Sequence, residues 1–137
     1  MTHLFLDTNI VMDLLDKRQP FCMDAARLFA IAYHKRVQLI VAPITYTTAS
    51  YLLSKNNKSE EVRAILANFR QLVHVATTDE RVIDDALASR FNDFEDAVQY
   101  YTAIKAKADV IITRNGKDFA ASKIPVMNAA EYLATIG

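Results

Sequence analysis

Short apolar runs alternate along this chain with stretches whose apolar residues recur at helical spacing, and that alternation constrains the fold more than any single residue does. Runs at His3–Leu6, Val37–Val41, Val73–Ala76 and Asp109–Thr113 read as strands, with a shorter one around Val126. Between them lie expected helices at Asn9–Leu15, Phe21–His34, Thr45–Leu53, Ser59–Phe69, from about Thr77 through Leu87, from Asn92 and Asp93 to about Ala106, and finally Asn128–Thr135. Thr77 followed by Glu80 resembles a capping box for the fifth of these helices. Strands separated by one or two helices need crossover connections, which place them parallel in a sheet covered on both faces. The expected fold is therefore α/β: four to five parallel strands sandwiched by helices in three layers. A length of 137 residues suits one domain spanning residues 1–137.

Composition excludes several functional classes. Only two glycines and three prolines in a chain that is 52% apolar argue for a helix-rich, ordered protein. Formal net charge is zero, so no overall field draws in nucleic acid. Charge is nevertheless uneven: Lys35, Arg36, Lys55, Lys58, Arg63 and Arg70 make the middle basic, whereas Asp79 to Asp96 is acidic. Cys22 is the only cysteine, which rules out an internal disulfide and argues against a thiolate metal site. Flanked by Phe21 and Met23, it reads as inert core. The opening Met1–Asp7 lacks the basic stretch and cleavage site of a signal peptide, and no apolar run is of bilayer-spanning length. A cytoplasmic protein with no membrane partner is expected.

The stretch from Leu4 to Asp13 carries the first chemical signal. A short apolar strand ends in Asp7, then Thr8 and Asn9, and an amphipathic run follows. Ligands in open α/β sheets bind outside the carboxyl ends of the strands. A carboxylate there suggests an acidic metal site, and no glycine-rich loop follows that could cradle phosphate. Further acids could reach the same edge: Asp93, Glu95 and Asp96 at a helix start, and Asp118 in the loop after the fourth strand. Asp93 and Asp96 are three apart, so both can face one side of a helical turn. Taken singly, each has a plainer reading. Asp7 or Asn9 could cap the first helix, Asp93 and Asp96 could be a cap and a first-turn charge, and Asp118 could be a solvated loop residue. His3, His34 and His74 have no metal-ligand spacing, and Tyr100–Tyr101 reads as packing within a helix.

Taken together, Leu6-Asp7-Thr8-Asn9, then Glu95-Asp96-Ala97 opening a helix, then Thr113-Arg114-Asn115-Gly116-Lys117-Asp118-Phe119 after a strand resemble the PIN-domain signature. The last element is especially similar to bacterial toxins of the VapC type. The resemblance covers essentially the whole chain. It implies a parallel sheet sandwiched by helices and a metal-dependent ribonuclease, often a toxin restrained by an antitoxin and often a homodimer. Asp7, Asp96 and Asp118 would be the metal-holding acids, with Asn9, Thr113 and Asn115 at accessory polar positions. Hard oxygen ligands favour Mg²⁺ or Mn²⁺ over zinc. Arg114, Lys117 and the basic stretch around Lys55 and Lys58 could meet RNA phosphates. One departure stands out: where the family usually has a glutamate after the second strand, this chain has Thr48. That motivates an alternative, a catalytically weakened PIN-like module that binds RNA or a protein partner without cleaving. A phosphatase of the haloacid type also begins with an aspartate after a strand, but it needs a second aspartate where Asn9 stands.

Overall fold

In the computed structural model, which describes residues 1–136, five strands form one parallel sheet. They are β1 (Thr2–Leu6), β2 (Val37–Val41), β3 (His74–Val75), β4 (Val110–Ile112) and β5 (Val126–Met127), in spatial order β3-β2-β1-β4-β5. The helices are α1 (Thr8–Leu15), α2 (Cys22–Tyr33), α3 (Pro43–Leu53), α4 (Ser59–Arg70), α5 (Glu80–Ala88), α6 (Phe94–Lys105) and α7 (Ala129–Thr135), with a 3-10 turn at Gly116–Phe119. The α/β sandwich expected from the sequence is thus observed.

The central strands show why the runs are continuously apolar. Alternate side chains point to opposite faces of a strand, and helices cover both faces here. Leu4 and Leu6, Leu39 and Val41, and Val110 and Ile112 enter one core with α1, α2, α4 and α7. Phe5, Ile40 and Ile111 enter the other, with Tyr100 and Ala103 of α6 and Phe119 of the 3-10 turn. The chain first builds outward from β1 to β2 and β3, then returns to place β4 on the other side of β1. The order of connection reverses between the parallel strands β1 and β4, so the carboxyl ends of these two strands border the crevice where such folds bind ligands.

Several boundaries differ from the sequence reading for identifiable reasons. α3 starts at Pro43 rather than Thr45, because proline fits the first helical position, where a missing N–H costs nothing. The Thr77–Glu80 capping box does not form. Asp79 caps α5 instead, its carboxylate accepting from the Val82 N–H at 3.0 Å. Cys22 is half-buried rather than core, and its neighbours Phe21 and Met23 are exposed, because α2 turns its Ala25, Leu28 and Phe29 inward. Tyr100 is buried as expected, edge-on to Tyr101.

With so few glycines, the chain ends three helices in an unusual way. Lys17, Lys35 and Lys107 adopt positive φ angles of 47°, 60° and 59° after α1, α2 and α6. Each N–H bonds a carbonyl of the last turn, and the next residue's N–H reaches one carbonyl further back, as in Arg36 N–H to Ile31 O at 3.0 Å. This is a Schellman closure, normally built on glycine. The left-handed backbone is strained for lysine, although its cation suits the helix C-terminus. Lys35→Gly is expected to raise stability by about 0.5 kcal/mol, the relieved strain exceeding the added unfolded-state entropy. Lys35→Val is expected to lower it, and urea denaturation of the pair checks both.

Candidate active site

Asp7 follows β1 directly. Its backbone is locked to the neighbouring strand, N–H to Ile112 O at 3.0 Å, and its own carbonyl accepts from Ile10 N–H at 3.0 Å to start α1. Asp7 does stand at the N-cap position of α1, but its side chain makes no capping hydrogen bond there. It is 6% exposed, and both oxygens are held from within. Oδ1 accepts from Gln99 Nε2 at 3.0 Å, and Oδ2 accepts from Thr113 Oγ at 2.7 Å. Burial pushes the Asp7 carboxyl above its usual range, while the bonds from Thr113 and Gln99 pull it back.

Gln99 was not among the residues picked out in the sequence, yet it is fully buried on α6. Its Oε1 accepts from the Thr8 N–H at 3.2 Å, one of the donors that a helix start leaves without an intrahelical partner. That contact fixes which end of the amide faces Asp7: the NH₂ must. Thr8 Oγ continues the network to Thr45 Oγ of α3 at 3.0 Å. The available signal was position. Gln99 stands three residues after Asp96, on the same side of the helix.

The remaining acids converge from two other elements. Asp93 caps α6, its Oδ2 accepting from the Asp96 N–H at 3.0 Å, which bears out the cap reading for this residue. Asp96 and Glu95 occupy the first turn. Burial raises the Asp96 carboxyl to about 7, helped by the charges of Asp7, Asp93, Asp118 and Glu95. Burial also raises Glu95, helped by Asp93 and Asp7. Asp118 sits exposed on the 3-10 turn, which Phe119 anchors in the core. Asp7, Asp93, Glu95, Asp96 and Asp118 all line one cleft of about 540 Å³, together with Asn9 and Asn115.

The polar accessories gather behind Asp7. Thr113 Oγ accepts from the Asn115 N–H at 3.1 Å and from Asn9 Nδ2 at 3.4 Å, which leaves its proton for Asp7. The basic residues arrange differently from the sequence reading. Lys117 and Arg90 line the cleft, whereas Lys55 and Lys58 do not. Arg114 is committed elsewhere: its Nε and Nη2 bond the two oxygens of Asp13 at 2.8 and 3.1 Å. Asp13 is 1% exposed and was also not singled out, although it lies one helical turn beyond Asn9. Thr48 is half-buried, and the side chain that α3 brings into the Asp7 network is Thr45.

The chain belongs to the PIN-domain family, whose model matches residues 3–117. It is 26% identical over 133 residues to Ribonuclease VapC1 of Aquifex aeolicus (strain VF5), covering 94% of this chain and 92% of that protein. Among solved structures it resembles DNA-bound VapBC from Salmonella typhimurium, with a TM-score of 0.70, 16% identity, and 94% and 99% of the two chains covered. It also resembles VapC20 of Mycobacterium tuberculosis, described as a sarcin-ricin loop cleaving toxin, at a TM-score of 0.68 and 19% identity over 86% and 94% of the chains. These likenesses agree with the observed fold. Among the described residues, no helix is long and apolar enough to cross a membrane.

The raised carboxyls make stability depend on pH. Asp96 in the folded chain keeps a proton that the unfolded chain releases at an ordinary carboxylate pKa, so the associated stability is full below about pH 4 and is lost as pH rises through about 7. Asp7 and Glu95 shift in the same direction. In EDTA the melting temperature is expected to fall from about pH 5 to about pH 8, and Asp96→Asn should flatten that fall. Calorimetric scans of both proteins check this.

Proposed function

We propose that this protein is a divalent-metal-dependent ribonuclease and the toxin of a toxin–antitoxin pair. The observation that carries the reading is the convergence of Asp7, Asp96 and Asp118 on one cleft at the carboxyl ends of β1 and β4. Burial and the neighbouring like charges together raise the Asp96 carboxyl, and a cation relieves both penalties. Among the described residues, no three acid, histidine or cysteine side chains stand ready to ligate one ion by themselves. An all-oxygen site of this kind suits Mg²⁺ or Mn²⁺, because Mg²⁺ keeps several waters and uses one or two direct carboxylates. Asp7, Asp96 and Asp118 would hold the ion directly or through those waters. When bound, it supplies charge for the scissile phosphate and lowers the pKa of a water.

The protein's own groups do the positioning. Gln99 and Thr113 fix the plane of the Asp7 carboxylate, so it does not reorganise when a ligand arrives. Asn9 and Asn115 brace Thr113. Lys117 and Arg90, at the cleft wall, are placed to meet the phosphates of an RNA strand. The name of the Aquifex relative supports ribonuclease chemistry, and the VapBC likeness supports an antitoxin as partner.

A second reading is motivated by α3, where Thr48 and Thr45 stand and no carboxylate reaches the network. On that reading the protein binds RNA or a partner by occupancy alone. Purified protein is expected to cleave single-stranded RNA with Mg²⁺ or Mn²⁺ and to stop with EDTA. Asp7→Asn should lower the rate by at least about 100-fold, the scale of losing a group that acts on the transition state. It should also abolish growth arrest on induction in cells. Growth arrest that survives Asp7→Asn would instead favour the binding module.

Gln99→Leu tests the positioning directly. It removes one bond to Asp7 and leaves the Thr8 N–H unpaired, so it is expected to cost about 1–3 kcal/mol in stability. It should weaken Mn²⁺ binding by about 10-fold, the lower end for losing a group that orients a metal ligand. Titration calorimetry on the folded variant checks the second effect.

A further inference from the structure

A second cavity, of about 440 Å³, lies behind the Thr113–Asn115 loop and shares two walls with the acid cleft. Thr8 and Asn9 of α1 face the cleft, whereas Ile10 and Asp13 of the same helix line the cavity. Asn115 faces the cleft, whereas Arg114 lines the cavity. Both hollows are therefore bordered by α1 and by the Thr113–Asn115 loop.

The built feature of this cavity is a stack. The Arg114 guanidinium lies over the Phe21 ring, its carbon 4.1 Å from the ring centroid. Asp13, buried and bidentate, fixes the guanidinium from behind. Phe21 remains 41% exposed, an unusual state for a ring in so fixed an arrangement. At the rim, Asn128 uses its Oδ1 to accept from the Glu131 N–H at 2.7 Å, which leaves its Nδ2 to donate. Asp24 adds an acceptor.

We propose that this cavity is a subsite for one unstacked nucleobase of the RNA strand whose backbone crosses the acid cleft, held against the Phe21–Arg114 pair. The inference rests on the ribonuclease reading and names how that site would grip its substrate. Single-stranded RNA is recognised by stacking splayed bases on aromatic rings and arginine planes. Charge decides between base and phosphate. Asp13 neutralises Arg114 and Arg27 offsets Asp24 at 3.5 Å, so the lining offers a phosphate no free positive charge, whereas a neutral flat ring finds an aromatic ring and a donor and acceptor at its edge. The volume lies in the range of small-ligand sites.

The chain has no tryptophan, so Phe21→Trp places a single reporter at the stack. It would be made with Asp7→Asn to prevent cleavage, and its folding checked by circular dichroism. The probes are a short single-stranded oligoribonucleotide and an abasic strand of the same length and charge, with binding followed independently by anisotropy of a dye on the strand. Saturable quenching of tryptophan emission by the RNA, with the abasic strand at least about five-fold weaker in both readouts, is the expected result, given what base stacking contributes. Equal responses to the two strands would overturn the subsite, as would RNA that binds by anisotropy while the emission stays unmoved. In either case, metal-dependent cleavage by the wild type would leave the ribonuclease reading standing. Failure of both strands to bind the variant would also overturn the subsite, and absence of wild-type cleavage would remove the reading beneath it.

Discussion

A buried carboxylate at the end of the central strand is the constraint around which this protein is arranged. Taking an ionised group out of water is costly unless it is paired or hydrogen-bonded. Among the described residues no basic side chain pairs with Asp7; it has Gln99 on one oxygen and Thr113 on the other. Those two groups come from α6 and from the end of β4, elements remote in sequence. Holding Asp7 thus requires α6 to lie against β1 and β4 to pair with it. The network runs on through Thr8 to Thr45, so α3 is tied to the same point. The polar site and the packing of the layers are not separable features.

The site also explains where the fold tolerates strain. Burial, helped by the charges of Asp7, Asp93, Asp118 and Glu95, raises the Asp96 carboxyl to about 7, so it would be half-protonated near neutrality in the absence of a cation. A protein optimised only for stability would not keep such a cluster. The Asp13–Arg114 pair, with Asp13 buried, lies on the far side of the same loop. It ties the loop after β4 to α1 and keeps Thr113 against Asp7. Removing either partner of such a pair leaves a charge stranded, so the pair gives rigidity more than net stability.

Much of this was legible in the sequence, and the misses have physical reasons. Continuous apolar runs such as Leu39-Ile40-Val41 signal strands buried on both faces, and those were read correctly. Asp7, Asp96 and Asp118 were legible because each stands at a strand end, a helix start or the turn after a strand, and the structure places all three at one cleft. Gln99 and Asp13 were not, because a polar residue on an amphipathic helix looks solvent-facing until its buried partner is known. The ion pair of Arg114 was hidden for the same reason: an arginine beside a site suggests phosphate, and its partner Asp13 shows only in the structure. The ends of α1, α2 and α6 were legible to within one residue, although lysine, not glycine, closes these helices. At α5 the cap is Asp79, two residues after the expected Thr77, and local propensity does not choose between the two.

The central claim is that the carboxylates converge to hold a divalent cation. Crystals soaked in Mn²⁺ and measured for anomalous scattering test it most directly. The account expects a peak in the cleft within about 2.0–2.3 Å of an Asp7 oxygen, with Asp96 and Asp118 bound directly or through one water. No peak there at saturating Mn²⁺, or a peak that leaves Asp7 uncoordinated while its bonds to Gln99 and Thr113 persist, would contradict it.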